Sequence, residues 1–105
     1  MDVEIVISGI SGRFPECDNI DELRDSLFAN KDLVTEDDRR WPPGLNGLPK
    51  RSGKLRQLTK FDAMYFGVHG QQAMSMDPQS RILLECAVEA IIDAGMYRIC
   101  ILYAL

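Results

Sequence analysis

Two patterns of apolar residues predict the first elements of the chain. Residues 3–7 are mostly apolar and rich in β-branched side chains, and a Ser-Gly turn signal follows them. This pattern predicts a buried strand of an α/β sheet. Residues 20–29 follow a capping residue, Asp18 or Asn19, and their apolar side chains recur at helical spacing. They are predicted to form an amphipathic helix that lies on a sheet or on another helix. The apolar face of this helix comprises Ile20, Leu23, Leu27 and Phe28.

The most regular pattern predicts a second helix over residues 78–94. Asp77 is a good N-cap acceptor, Pro78 suits the first helical position, and Gly95 suits the position after the last turn. The segment is apolar around most of its circumference, and such a helix must be buried on several sides. One strand, one amphipathic helix and a loop cannot cover it, so the chain is expected to need a larger body or a partner. The narrow polar stripe, predicted to be a solvated edge or a set of structural salt links, comprises Arg81, Glu85, Glu89 and Asp93.

Between the two helices the periodicity is lost. A Trp-Pro-Pro-Gly run at residues 41–44 cannot lie inside a helix, because proline lacks an amide donor and restricts its neighbour. Residues 31–60 are therefore predicted to be a long connecting loop. Basic residues gather in this part of the chain, and two interpretations stay open: a site for phosphate or for an acidic carrier protein, or a solvated loop. These basic residues are Arg39, Arg40, Lys50, Arg51, Lys54, Arg56 and Lys60.

Composition indicates the class of protein but points to no catalytic or metal-binding site. The chain has 105 residues, 46% of them apolar, and a net charge of −4, which fits one small globular domain or part of a larger one. The acidic start and the short apolar run after it lack the features of a signal peptide or a membrane span, so the cytosol is the expected compartment. Cys17, Cys86 and Cys100 show no metal-ligand spacing and are expected to be free thiols, with Cys86 buried. The single histidine, His69, has no thiol, hydroxyl or carboxylate at a spacing that indicates catalysis.

Several motifs occur in the order found at the start of β-ketoacyl synthase domains. They are Val-Ile-Ser-Gly-Ile-Ser-Gly-Arg-Phe-Pro at 6–15, Asp-Asp-Arg-Arg-Trp at 37–41, Gly-Leu-Pro-Lys-Arg-Ser-Gly-Lys-Leu at 47–55, Phe-Asp-Ala at 61–63, Phe-Gly-Val-His at 66–69 and Met-Asp-Pro-Gln-Ser-Arg-Ile-Leu-Leu-Glu at 76–85. The last motif resembles both fatty acid synthases and modular polyketide synthases. The motifs at 37–41 and 47–55 resemble the animal fatty acid synthase branch more closely. The resemblance covers residues 3–95.

The resemblance implies an α/β fold of the thiolase-like type, of which this chain holds an incomplete, N-terminal portion: first strand, amphipathic helix, long loop and buried helix. It also implies a parent transferase, which condenses an acyl group with a malonyl thioester in fatty acid biosynthesis. In that family a cysteine at a helix N-terminus carries the acyl group, and two histidines assist decarboxylation. The cysteines of this chain and His69 match none of those positions. The resemblance therefore implies no catalytic, cofactor-binding or metal-binding residue in this chain, and an isolated chain without condensing activity.

Partners and boundaries follow from the same resemblance. The parent uses phosphopantetheine-linked acyl carrier protein, and the expected partners are the rest of the synthase polypeptide, its dimer mate and that carrier, with no nucleic acid or membrane. Residues 1–95 are expected to be the family segment, and residues 96–105 a divergent apolar tail that could pair as a strand. Three alternatives stay open: a non-catalytic module that docks on a full-length synthase, a polyketide synthase ketosynthase fragment, and a small independent scaffold.

Overall fold

The computed structural model describes residues 2–96, which fall into two compact units. Residues 12–58 form one unit, called here the hairpin unit, and residues 2–11 with 59–96 form the other, called the helical unit. The strand pairing expected for the apolar tail and the state of Cys100 concern residues 97–105, which lie outside the described residues.

The hairpin unit begins with a capped helix. Helix α1 spans Ile20–Phe28, and the side chain of Asn19 accepts a hydrogen bond from the Glu22 amide at 2.8 Å. In return the Glu22 carboxylate accepts from the Asp18 amide at 3.0 Å, so two amides that the first turn leaves unbonded gain partners. The prediction of this helix is confirmed, and Asn19 rather than Asp18 is its cap.

The apolar face of α1 does not lie on another element of its unit. No residue of this helix is buried, and Phe28 is 86% exposed. Its apolar side chains instead line an open groove of about 460 Å³, with Ile20, Leu23, Arg24, Leu27 and Phe28 around it. The expected packing of α1 is therefore not found within the hairpin unit, although the helix has the amphipathic pattern that predicts it.

The predicted loop over residues 31–60 contains a short β-hairpin. Strand β1, Val34–Thr35, pairs antiparallel with strand β2, Ser52–Gly53, and a 3₁₀ turn at Leu45–Gly47 lies between them. Val34 faces Gly53 and Thr35 faces Ser52 across the ladder. Strands of two residues show no alternation of apolar and polar side chains, which is why the sequence pattern did not predict them.

The helical unit contains two helices, α2 at Gly70–Ser75 and α3 at Pro78–Asp93. The Asp77 side chain accepts from the Gln79 amide at 2.7 Å, and Pro78 occupies the first turn of α3. Gly95 adopts a φ of +78°, a left-handed conformation that ends helices and costs glycine little. Both predicted ends of α3 are confirmed.

The strand predicted for residues 3–7 is not formed in the described part of the chain. Residues 2–10 have no assigned strand, and no backbone hydrogen bond joins residues 3–7 to another described residue. A strand is stable only when its amides and carbonyls find a neighbouring strand, and residues 2–96 supply none at this place. The β-branched residues that predicted the strand therefore lie in an exposed segment.

The core of the described residues is small. Within residues 2–96, only Cys17, Ala73 and Val88 are buried apolar residues, and only Lys54 is a buried charged one. Helix α3, predicted to be buried on several sides, exposes Leu83 and Ile92 by more than half. These exposed apolar side chains agree with the expectation of a covering body. Within residues 2–96 no helix combines the length and the apolar character that crossing a membrane requires.

Candidate functional site

Arg39 organises the charges of the hairpin unit. Its guanidinium contacts the Glu16 carboxylate, donates to Asp37 at 2.9 Å and donates to the Thr35 hydroxyl at 3.1 Å. A planar guanidinium presents five donors in fixed directions, so it can join several acceptors that a lysine could not reach together. Arg39 thus ties strand β1 to the loop that carries Glu16.

Arg56 forms a second centre beside α1. Its guanidinium lies 3.1 Å from the Glu22 carboxylate, 3.5 Å from Asp18 and 4.0 Å from Glu16. The carboxylates of Asp18 and Glu22 belong to the capping region of α1, where the helix dipole already favours negative charge. Since Glu16 also contacts Arg39, this carboxylate links the two guanidinium groups into one network.

Lys54 lies at the centre of the network and is 4% exposed. Its ammonium donates to the Thr35 carbonyl at 2.9 Å, lies 3.5 Å from the Ser52 carbonyl and lies 3.8 Å from the Asp37 carboxylate. Lys54 follows β2 directly, and its contacts reach both strands of the hairpin. A buried ammonium is tolerated only when it is hydrogen-bonded and paired, and here it bonds to carbonyls of both strands and lies within ion-pair distance of Asp37.

The contacts of the hairpin unit favour the charged forms of Asp37, Arg39 and Asp32. Hydrogen bonds from Arg39 and then from Thr35 hold the pKa of Asp37 well below its ordinary value. Hydrogen bonds from Arg39 to Asp37 and, second in size, to Glu16 raise the pKa of Arg39. The Val34 amide and then Arg51 lower the pKa of Asp32 at the start of β1.

Two further basic side chains of the segment bind acceptors within the hairpin unit. Arg40 donates to the Leu55 carbonyl at 2.6 Å, and Arg51 contacts Asp32 and donates to the Val34 carbonyl at 2.7 Å. With the three residues of the network, five of the seven basic side chains bind acceptors within the hairpin unit. Lys50 and Lys60 are exposed. The segment therefore supplies the basic partners of an ion-pair network within the hairpin unit, while its residues 41–51 are exposed. The sequence pattern missed it because the partners lie far apart along the chain.

In the helical unit, the polar stripe of α3 holds the segment that precedes the hairpin unit. The Ile10 amide donates to Asp93 at 2.9 Å, and the Ser11 hydroxyl donates to Glu89 at 2.5 Å. Gly9 lies so close to the helix that a Cβ atom there would meet the Ala90 carbonyl oxygen at 2.1 Å. We call these contacts of residues 9–11 the latch. Glu89 and Asp93 of the stripe thus make structural contacts, but as hydrogen bonds to residues 10 and 11 rather than as salt links.

Within residues 2–96, the two cysteine thiols and the histidine ring are not placed for nucleophilic catalysis. Cys17 is 1% exposed, and its sulfur lies 3.6 Å from the Ser26 hydroxyl. Cys86 is half-buried, which corrects the expectation of full burial, and it lies in the third turn of α3, past the reach of the helix dipole. His69 caps α2 by accepting from the Gln71 amide at 3.4 Å. Among residues 2–96 no three metal-ligating side chains come together.

The first prediction concerns acid. Because the pKa of Asp37 is lowered in the folded chain, this carboxylate stabilises the fold above its unfolded pKa, near 3.8, and the contribution is lost as the pH falls through the folded value. We expect the urea midpoint of the whole chain to fall between about pH 4 and pH 2, and to fall less in Asp37→Asn. Asp38→Asn, an exposed neighbour, is the control and should follow the wild type. If the urea midpoint fell equally steeply with pH in the wild type and in Asp37→Asn, the prediction would be contradicted.

The family model named β-ketoacyl synthase, N-terminal domain, matches residues 2–100 of the chain. Among curated proteins, fatty acid synthase of the goose Anser anser anser is 56% identical over 93 residues, which are 89% of this chain and 26% of that protein. Polyketide synthase PksL of Bacillus subtilis is 38% identical over 107 residues, covering 90% of this chain and 2% of that protein. The chain thus spans about a quarter or less of the length of these relatives.

A solved structure gives the same family. The oxazolomycin ketosynthase domain OzmH KS7 of Streptomyces albus matches with a TM-score of 0.74 and 31% identity. The match covers 88% of this chain and 18% of that chain. The thiolase-like α/β assignment made from the sequence is confirmed by this neighbour, with the present chain corresponding to a part of the fold.

Proposed function

The chain belongs to the β-ketoacyl synthase family, in its N-terminal domain, and on that premise we propose that it serves the condensing domain of an animal-type fatty acid synthase. The observation that carries the proposal is the 56% identity to goose fatty acid synthase, against 38% to the bacterial polyketide synthase PksL. The motifs at 37–41 and 47–55 support the same branch. The parent reaction joins an acyl thioester to a malonyl thioester, with loss of carbon dioxide, to give a β-ketoacyl thioester.

In this proposal residues 2–96 contribute framework rather than chemistry. Acyl transfer needs an accessible thiolate beside a positive field, whereas Cys17 is enclosed and Cys86 lies in the middle of a helix. The one imidazole serves as a helix cap. The acyl-carrying cysteine and the two histidines of the family come from other residues of the parent, which works on phosphopantetheine-linked acyl carrier protein in the cytosol. The family segment is residues 1–95, and residues 96–105 are the divergent tail.

The framework role is tested by grafting. We expect goose fatty acid synthase to keep fatty acid synthesis within about threefold when its aligned segment is replaced by that of this chain, because volume-conserving changes of a core cost little. The segment of PksL, at 38% identity, serves as the matched control and should lose more activity. Synthesis is measured as malonyl-dependent product formation. Inactivity of the first graft, with normal expression and assembly, would refute the proposal.

The absence of chemistry in the chain itself is tested separately. We expect the purified 105-residue chain to form no β-ketoacyl product from acyl and malonyl thioesters, and to take up no acyl group on a cysteine. Mass spectrometry after incubation with a labelled acyl thioester measures the second point. Stoichiometric acylation of Cys86 or of another thiol, lost on substitution of that cysteine by serine, would contradict the framework role.

A further inference from the structure

Asn46 is the one asparagine of the chain that a glycine follows. Both residues lie in the 3₁₀ turn Leu45–Gly47 between the two strands of the hairpin, and both are exposed. Apart from its chain neighbours and the backbone of its own turn, nothing lies within 4 Å of the position that a Cβ of Gly47 would take. A side-chain amide thus lies next to an unhindered main-chain nitrogen, and the chain itself holds the two groups together.

The turn holds this pair in a left-handed conformation. The φ of Asn46 is +51° and that of Gly47 is +78°. Asparagine and aspartate are among the non-glycine residues that adopt this conformation most readily, so an aspartate at position 46 fits the same turn. The Gly47 amide donates to the Gly44 carbonyl at 3.3 Å, which is longer than ordinary hydrogen bonds of this type. The nitrogen of Gly47 is therefore held only weakly.

Asn30 provides an internal comparison with the same backbone conformation. Its φ is also +51°, and its side chain is exposed as well. The residue after it, however, is Lys31, whose amide donates to the Ser26 carbonyl at 2.9 Å. The nitrogen that follows Asn30 is thus held by a normal hydrogen bond and is flanked by a side chain. Exposure and φ are alike at the two asparagines, and the following residue differs.

Asn19 is the third asparagine, and its side chain is already bonded. It is exposed, but its side-chain oxygen accepts the Glu22 amide at 2.8 Å as the cap of α1. The residue that follows it is Ile20, whose branched side chain crowds the nitrogen. The structure therefore singles out Asn46 among the three.

We propose that Asn46 and Gly47 form a site of spontaneous covalent modification, at which Asn46 is converted to aspartate and isoaspartate. The Gly47 nitrogen bonds to the side-chain carbonyl carbon of Asn46, and the bond from that carbon to the side-chain nitrogen breaks. The proton that the Gly47 nitrogen gives up balances the one gained by the departing ammonia. A succinimide ring results, with no oxidation or reduction.

Water then opens the ring at one of its two carbonyl carbons. Attack at the side-chain carbonyl restores the original main chain and leaves aspartate. Attack at the main-chain carbonyl leaves the chain connected through the side chain, as isoaspartate. Each event consumes water, releases ammonia and places a new negative charge in the basic segment. The reaction uses no group of the ion-pair network, and it is independent of the proposed function.

The test follows all three asparagines in the purified 105-residue chain. The chain is incubated in neutral buffer and digested with pepsin in acid, and mass spectrometry measures the change from amide to acid in each peptide. We expect residue 46 to convert at least about tenfold faster than residue 30 or residue 19. Isoaspartate at residue 46 is detected by methyl transfer from S-adenosylmethionine with an isoaspartyl methyltransferase.

Three variants separate the contributions to this rate. Gly47→Ala should slow conversion at residue 46 at least about fivefold, because its methyl group crowds the attacking nitrogen. Gly70→Ala adds the same methyl group at an exposed glycine of α2 and should leave that rate unchanged. Asn46→Asp carries the aspartate product and should keep the urea midpoint of the wild type, because the exposed turn lies outside the network. The circular dichroism of each variant is compared with that of the wild type.

Several results would overturn the proposal. Conversion at Asn46 no faster than at Asn30 in the wild type would do so, and this measurement does not depend on the folding of any variant. Equal rates in the wild type and in Gly47→Ala, with matching circular dichroism, would exclude attack by the Gly47 nitrogen. Conversion to aspartate without any isoaspartate would indicate direct hydrolysis of the side chain instead of ring closure.

Discussion

Replacing Lys54 with alanine should destabilise the chain by about 2–4 kcal/mol, the largest loss expected from a single charged side chain. The ammonium is nearly inaccessible to water and binds the Thr35 carbonyl in β1 and the Ser52 carbonyl in β2. Alanine would remove the ammonium that donates to the Thr35 carbonyl and lies near the Ser52 carbonyl and the Asp37 carboxylate. The loss is measured as the shift of the urea midpoint of the whole chain, in an excluded osmolyte such as sucrose that keeps the wild type folded.

Two variants divide this loss into its causes. Lys54→Met keeps the aliphatic stem and removes the charge, so the difference between methionine and alanine reports the packing of the stem. Lys50→Ala, at an exposed position in the same segment, should change stability by less than about 0.5 kcal/mol. A loss at Lys54 no greater than that at Lys50 would show that the buried ammonium is not a structural centre.

Replacing Gly9 with alanine should destabilise the helical unit by about 3 kcal/mol, at the upper end of the cost of overpacking. The new Cβ would lie 2.1 Å from the Ala90 carbonyl oxygen and 2.6 Å from the Ala94 nitrogen. Both atoms belong to backbone that cannot rotate away, so the segment itself must move off the helix. The latch would loosen, and faster hydrogen exchange at the Ile10 amide should accompany the lower urea midpoint.

Gly70→Ala provides the matched control for this substitution. Gly70 is the first residue of α2, and apart from its chain neighbours and the backbone of its own helix nothing lies within 4 Å of the position its Cβ would take. Alanine at this site should leave stability unchanged or raise it by up to about 1 kcal/mol, because it restricts the unfolded chain. If Gly9→Ala and Gly70→Ala behaved alike, the close approach of residue 9 to α3 would not be a constraint in solution.

The elements that local chemistry determines are predictable from this sequence. Helix α3 shows its cap at Asp77, its proline in the first turn and its glycine after the last turn, and the structure has all three. Helix α1 was predicted to within one residue at its end. These signals act between residues at most four positions apart, so a single sequence contains them in full.

The charged network depends on contacts that the sequence alone does not reveal. Arg39 and Glu16 are separated by 23 positions, and Arg56 and Glu22 by 34. The chain has many acidic and basic residues, and the fold of the hairpin unit determines which of them form ion pairs. Composition does not contain that information. Close packing at Gly9 was equally hidden, since a glycine before a predicted loop is first interpreted as a turn residue.

Residues 3–7 illustrate the opposite case, in which a local preference lacks its tertiary partner. Their composition favours a strand, and the described residues leave them unpaired. β propensity measures how well a side chain fits a pleated, half-covered surface, and it has little effect without that surface. The confirmed membership of the β-ketoacyl synthase family explains why the preference is present even where the neighbouring strand is not.

Glu16 combines an unfavourable backbone with a favourable side chain. Its φ of +57° is a left-handed conformation that costs a residue with a Cβ roughly 1–2 kcal/mol relative to glycine. Glycine would relieve this cost, yet it would remove the carboxylate that joins Arg39 and Arg56. The net effect of a substitution at position 16 is therefore the backbone strain relieved minus the ion pairs lost. Backbone preference alone does not rank the replacements there, because the same residue bridges two cations.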